Sequence, residues 1–216
     1  MLKCLIFDRL AKVSKKKESV MATENIDDKE DLRVVRTRLS LSKALYELLE
    51  TTPFEKISVM DICNKAMVHR ATFYNHFYDK EDLLEFSIDQ VKESLFKATI
   101  EKEKYNSPKE MYMSLISAVI DFVDANKKQF LIMLNINNYN SVTGLLLTTI
   151  KRSLRYLTSK NEYKENYTLP VNVIIDFISG GATNLGLNWL RSSNPCSKEE
   201  LLSYFDILLN DKIYIK

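Results

Sequence analysis

The sequence predicts an all-α protein, and three observations carry that prediction. Only four Gly and four Pro occur in 216 residues, which favours uninterrupted helices over a turn-rich sheet protein. Apolar residues recur at three- and four-residue spacing from residue 31 onward, the period of a helix with one buried face. Ser-x-x-acid signals at Ser58 and Ser197 each precede an apolar run, the pattern of a capping box that starts a helix.

Composition narrows the class further. Hydrophobic residues make up 45% and charged residues 28% of the chain, ordinary for a globular protein with a sizeable core. Cys4, Cys63 and Cys196 are widely separated and odd in number. They suggest neither a disulfide framework nor a metal knuckle, and fit a reducing cytoplasm. No run of about 18 apolar residues is present, so no membrane span is expected. The net charge of +2 conceals an asymmetry: residues 1–20 hold six Lys/Arg against two acids, leaving 25 against 27 over the rest. A nonspecific basic coat for nucleic acid is therefore not supported, and any DNA contact must come from locally placed groups.

Residues 1–30 read as a charge-rich extension, not as a secretory signal, because charges interrupt the apolar run. Two readings stand for it: a basic arm, or residues preceding a translation start at Met21, since Lys17-Glu18 can be encoded as a ribosome-binding sequence. From Asp31 to Thr51 a helix is predicted, with Leu32, Val35, Leu39, Leu45 and Leu49 as its apolar stripe. Pro53 ends it, since the residue before a proline is disfavoured in a helix. Ser58 and Asp61 then open a short helix from Val59 to Lys65, followed by a tight break at Met67-Val68 and a second short helix from Arg70 to Phe77. In that helix Phe73 and Phe77 are four apart and point inward, leaving Arg70, Thr72, Tyr74 and Asn75 outward. The pattern suits a DNA-reading helix-turn-helix and, equally, an ordinary helical hairpin. Asp79 caps a long helix predicted from Lys80 to Lys102, whose buried face is Leu84, Ile88, Val91 and Leu95. It serves as a connector, with a domain boundary near residue 95.

Beyond Pro108, which suits a helix start, helices are predicted throughout. One carries Met111, Leu115, Ala118, Val119, Phe122 and Val123, and a shorter one runs from Lys127 to Leu134. The Asn-rich stretch at 135–144 reads as a break before a helix from Leu145 to Thr158, and 158–168 as a polar loop. Val171 to Arg191 is apolar nearly all round yet contains Gly180, Gly181 and Gly186. Each glycine costs roughly 1 kcal/mol of helix propensity against Ala, so a compensating close approach or ligand space is expected. Ser197 then starts a helix bearing Leu201, Leu202, Phe205, Leu208 and Leu209.

Catalytic chemistry is missing from the pattern. His69 and His76 are seven apart, whereas helical metal pairs need three- or four-residue spacing with carboxylates. There is no Gly-rich phosphate loop and no nucleophile elbow. Cys63, close to His69 in sequence, reads as a small core residue. No enzyme, cofactor or metal is expected.

The run Thr72-Phe-Tyr-x-His-Phe-x-x-Lys-Glu-x-Leu83 resembles the end of the DNA-binding domain of TetR-type bacterial transcriptional regulators. The resemblance extends back through Phe54-Glu-Lys-Ile-Ser-Val-x-Asp-Ile-Cys63 and covers about 32–95. The Gly-Gly…Trp-Leu segment at 180–190, with the Ser-x-Glu-Glu-Leu start at 197–201, is similar to a common ending in that family. The resemblance implies an N-terminal three-helix domain at 31–95, joined by a long helix to a C-terminal ligand and dimerisation domain at 96–216. It implies that Arg70, Ala71, Thr72 and Asn75 face the major groove, while Tyr74, His76 and Lys80, with Ser58 and Val59, hold phosphates. Arg offers guanine a bidentate fork, and Lys80 at a helix start would add its charge to free N–H donors. Many relatives have Gly where this chain has Met67, which puts the turn geometry in question.

The full expectation is a homodimeric regulator of palindromic operators, with reading heads about 34–36 Å apart. It would be a repressor released by a small-molecule effector; activation, or protein interaction without DNA specificity, are the alternatives. Dimer contact is expected from 171–191 and 197–209, through Gly180, Gly181, Gly186, Trp189, Leu201, Phe205 and Leu208. Met111, Met113, Phe122 and Met133 are expected either to line a pocket or to fill the core.

Overall fold

The computed structural model describes residues 32–101, 104–136, 139–160 and 167–209. The N-terminal extension, with its arm and start-site readings, and most of the predicted polar loop lie outside these residues. All regular elements among them are helical, and none is long and apolar enough to cross a membrane. They form two compact units, one through Val91 and one from Lys92.

The first unit begins with α1 (Leu32–Leu49), which buries Leu41, Ala44, Leu45, Tyr46 and Leu49. The predicted stripe therefore holds at its C-terminal half only, because Leu32 is exposed. A single 3-10 turn at Phe54–Lys56 leads to α2 (Val59–Ala66), which buries Ile62 and Cys63. The next helix, α3, is shorter than predicted: Arg70–Tyr74, with Asn75 and His76 continuing as a turn. Phe73 and Phe77 are both buried, their ring centroids 5.8 Å apart.

The long helix α4 (Lys80–Thr99) starts where Asp79 accepts from the Asp82 N–H at 2.8 Å. Its most buried residues are Leu83, Ser87, Val91 and Leu95, not the predicted Leu84 and Ile88, which are half-buried. Val91 and Leu95 lie as predicted, and the stripe is displaced by one residue only over its first two turns, where it contains a polar member. Ser87 Oγ donates to the Leu83 carbonyl at 2.7 Å and lies 2.7 Å from Ser42 Oγ of α1. A hydroxyl so satisfied sits in a core at little cost.

The second unit comprises the end of α4 with α5 (Pro108–Ala125), α6 (Lys127–Asn135), α7 (Tyr139–Lys160), α8 (Val171–Arg191) and α9 (Lys198–Leu208). Ser107 caps α5 by accepting from the Glu110 N–H at 3.1 Å, with Pro108 in the first turn. Helix α7 starts earlier than predicted, taking in Gly144. Val142 is fully buried there, and burial of that kind outweighs weak local propensity. The core is Met111, Leu115, Phe130, Ile150, Leu154, Ile174 and Ile178, among others. Lys198 pairs with Asp121 at 2.6 Å and Lys109 with Asp206 at 2.9 Å, tying α9 to α5 at its rim.

Candidate nucleic-acid interface

The site is built by three local devices around α2 and α3. Ser58 and Asp61 form a complete capping box. Ser58 Oγ accepts from the Asp61 N–H at 3.2 Å, and Asp61 Oδ2 accepts from the Ser58 N–H at 2.9 Å and from its hydroxyl at 2.6 Å. The Ser58 hydroxyl and then its N–H hold the Asp61 carboxyl below the usual carboxylate range. This fixes the start of α2 and leaves Val59 half-buried beside it.

The second device is the turn. Met67 adopts φ 57° and ψ 43°, the left-handed region, and it is the one non-glycine with positive φ among the described residues. Its N–H donates to Asn64 O at 3.3 Å, and the Val68 N–H donates to Cys63 O at 3.0 Å. That pair of bonds is the Schellman arrangement, which satisfies orphan carbonyls at a helix end. The chain thus makes the turn of a glycine-ended helix with a methionine whose side chain is 91% exposed.

The third device anchors α3. Phe73 is buried completely and Phe77 almost so, which leaves Arg70, Ala71, Tyr74 and Asn75 exposed, with Thr72 and His76 half-buried. Arg70 Nη2 donates to Tyr74 Oη at 3.1 Å, and its guanidinium lies 5.4 Å from the Tyr74 ring centroid. The tyrosine hydroxyl raises the Arg70 pKa further above its ordinary value. The outer face of α3 is therefore a held guanidinium and phenol with an amide one position on, a donor set suited to base edges and phosphates. Tyr78 is 86% exposed in the turn after α3 and carried no signal in the sequence.

Lys80 is held by carbonyls of its own unit. Its ammonium donates to the carbonyls of Phe54 at 2.9 Å, Ile57 at 3.0 Å and Glu55 at 3.3 Å, and sits 4.7 Å from the Phe54 ring centroid. These acceptors match the three N–H donors of an ammonium, so Lys80 clasps the 3-10 turn. The sequence holds one signal for this clasp: a cation in the first turn of a helix opposes the helix dipole and calls for a compensating partner.

The expected dimer residues divide. Leu201 and Phe205 are buried in their own unit, and Trp189 is half-buried with its indole N–H donating to Cys196 O at 2.8 Å. Gly186 and Gly180 are half-buried, and Gly181 and Leu208 are exposed. A Cβ at any of these three glycines would meet nothing within 4 Å, so no close approach inside the chain accounts for them. The exposed apolar face is instead Val173, Phe177 and Leu185 on α8 with Tyr204, Ile207 and Leu208 on α9. Both faces of these helices carry apolar residues, and the sequence alone does not distinguish the inward stripe from the outward one.

Comparison with known proteins agrees with this geometry. Residues 41–85 match the family of bacterial regulatory proteins, tetR family. Residues 110–211 match a transcriptional regulator C-terminal region. An uncharacterized HTH-type transcriptional regulator, YxbF of Bacillus subtilis (strain 168), is 44% identical over 61 residues, covering 28% of this chain and 16% of its own. The dhaKLM operon transcriptional activator DhaS of Lactococcus lactis subsp. lactis (strain IL1403) is 40% identical over 48 residues, covering 22% and 26% respectively. The matched segment thus spans about a quarter or less of either curated relative. In fold, the chain is similar to the solved dihydroxyacetone kinase operon activator DhaS, with a TM-score of 0.62 at 22% identity over 84% of this chain and 99% of that one. A TetR transcriptional regulator from Streptococcus agalactiae 2603V gives 0.58 at 20% identity, over 84% and 97%. With its helix-turn-helix unit and its helical second unit both matched, the chain belongs to the TetR family of bacterial regulatory proteins.

Proposed function

We propose that this protein is a sequence-specific DNA-binding transcriptional regulator that works by binding, not by catalysis. The observation that carries the reading is the outward face of α3. Arg70 and Tyr74 are bonded to each other on a helix whose inward side is pinned by Phe73 and Phe77. Arg70, Ala71, Thr72 and Asn75 read base edges in the major groove, and Tyr74, His76, Ser58 and Val59 meet phosphates. The regulator acts in the cytoplasm, on the nucleoid, as a homodimer on a palindromic operator. The exposed apolar residues Val173 and Phe177 of α8 and Tyr204 and Ile207 of α9 support the dimer, since exposed apolar groups mark association surfaces. Repression relieved by a small-molecule effector is the mode of action.

Activation is a second reading with a specific observation behind it: the matched relative DhaS is named as an activator. The test is binding of fluorescent duplexes taken from upstream of this gene and its neighbours, followed by a reporter fusion to the bound promoter. Saturable binding that survives competitor DNA is expected; its absence at every promoter overturns the reading. A reporter that rises on deletion of the protein indicates repression, and one that falls indicates activation.

A further inference from the structure

Met67 is a residue the fold does not ask for. It holds φ 57° and ψ 43°, a left-handed conformation that crowds the Cβ of an L-residue. Glycine suits that conformation because it has no Cβ, and asparagine also ends helices in it; methionine has neither advantage. Its side chain returns nothing to the interior. At 91% it is the most exposed large apolar side chain among the described residues. The bonds that close the turn, Met67 N–H to Asn64 O and Val68 N–H to Cys63 O, run from backbone to backbone and need no methionine.

Either feature alone carries little. Single exposed apolar side chains are common on protein surfaces, and left-handed residues end many helices. Their coincidence carries more, because a bulky residue held at a backbone cost with no packing in return points to a role outside the fold. The surroundings say which. The described residues of the first unit expose five large apolar side chains: Leu32, Met60, Met67, Tyr74 and Tyr78. Four of the five lie on α2, on α3 or in the turns that follow them. Met67 comes two residues before His69 and three before Arg70, both exposed. The outer face of α3 offers a guanidinium, a phenol and an amide, which suit polar base edges and phosphates. Duplex DNA also presents hydrocarbon, in the C5-methyl of thymine and in deoxyribose, and apolar side chains contact that methyl.

We propose that Met67 is a contact between this protein and DNA, laying its thioether chain against hydrocarbon of the duplex, a thymine methyl or a sugar. The proposal rests on the DNA-binding reading and adds to it a residue outside the polar contact set. A flexible, polarisable side chain suits an irregular surface, and the turn that leads into α3 fixes where it starts. The backbone cost at Met67 is then borne by the free protein for the sake of the complex.

The test uses the full-length protein and the fluorescent promoter duplex that the parent binds most tightly, followed by anisotropy. Met67→Gly removes the side chain and the strain together, Met67→Gln keeps the length and the Cβ but ends in an amide, and Met67→Leu keeps an apolar body. Met67→Gly and Met67→Gln should each bind roughly three- to tenfold more weakly, the worth of burying about half a methionine side chain. Met67→Leu should stay within about twofold of the parent, as volume-conserving apolar exchanges do. The log–log salt slope should not change in any variant, since no phosphate charge is involved. Replacing thymines by deoxyuridine one at a time removes the C5-methyl and locates the partner. A position where the parent loses affinity and Met67→Gly does not assigns the contact to a thymine methyl; if there is none, the contact is to deoxyribose. Met67→Gly that binds as tightly as the parent, or Met67→Leu that binds no better than Met67→Gly, overturns the proposal. If Met67→Gly loses its fold, Met67→Gln against Met67→Leu decides alone, since both keep the parent's Cβ. A parent that binds while Met67→Gly binds equally refutes this contact only, whereas a parent that binds no duplex refutes the DNA-binding reading and the contact with it.

Discussion

Replacing Met67 by glycine should stabilise the protein. Met67 sits at φ 57°, where the Cβ of an L-residue crowds the following carbonyl at a cost of roughly 1–2 kcal/mol. Glycine removes that cost but adds freedom to the unfolded chain, which offsets about 0.4–1 kcal/mol. The methionine side chain is 91% exposed, so its deletion loses almost no burial. The net expectation is about 1 kcal/mol of added stability, or about 2–4 °C in Tm for a chain of this size. Urea unfolding of the full-length protein, followed by circular dichroism, is the assay. Met67→Ala is the control: it keeps the Cβ and should stay within about 0.5 kcal/mol of the parent. If Met67→Gly is no more stable than Met67→Ala, the strain assigned to this turn is absent, and the two bonds at Cys63 and Asn64 hold it without cost.

Other expectations follow from the same unit. Arg70→Ala should weaken binding to the specific duplex by about 1–3 kcal/mol, the worth of a bidentate base contact, and affect nonspecific duplex far less; an unchanged specific affinity would remove Arg70 from the reading face. Lys80→Met should destabilise the fold by about 1.5–3 kcal/mol through loss of charge-assisted bonds to Phe54, Ile57 and Glu55. It should leave the salt dependence of DNA binding unchanged, whereas a lost phosphate contact would reduce the log–log slope by about 0.9. The folded-state pKa of Asp61 is depressed by Ser58. The stability it contributes is therefore fully present above its unfolded pKa and is lost as pH falls through the folded value. Asp61→Asn should abolish that part of the acid dependence in urea titrations at stepped pH. Phe177→Glu with Ile207→Glu, on exposed apolar positions of α8 and α9, should convert a dimer to a monomer in sedimentation; an unchanged mass places the interface elsewhere.

Much of this was legible from residues alone, and where legibility stops is physically understandable. Helix starts were readable because caps are local: Ser58, Asp79 and Ser197 each accept from the N–H three residues on. The inward side of α3 was readable because Phe73 and Phe77 admit one sensible orientation. The positive φ at Met67 was legible as a conflict between residue type and turn position. The clasp made by Lys80 was not legible because its partners lie 23 to 26 residues back in the sequence, beyond the reach of any local pattern. Ser87 was passed over because a polar residue in a stripe looks like a gap until Ser42 is seen opposite it. On α8 and α9 the difficulty was different. When two faces are apolar, periodicity identifies neither, and Leu201 and Phe205 were assigned outward although they are buried.

The buried serine pair has a mechanical consequence. Ser87 gives its one proton to the Leu83 carbonyl, so the bond to Ser42 must be donated by Ser42. An all-apolar seam between α1 and α4 would tolerate sliding by a fraction of a turn, since greasy contacts are nondirectional. Here, any axial slip would strand a hydroxyl in the dry interior, so the seam acts as a detent with one seated position. A push delivered along the first turns of α4 would then carry α1 with it instead of shearing past it. Ser87→Ala, which strands the Ser42 hydroxyl, should cost more than Ser42→Ala, which leaves Ser87 bonded to the Leu83 carbonyl, and more than the two changes made together.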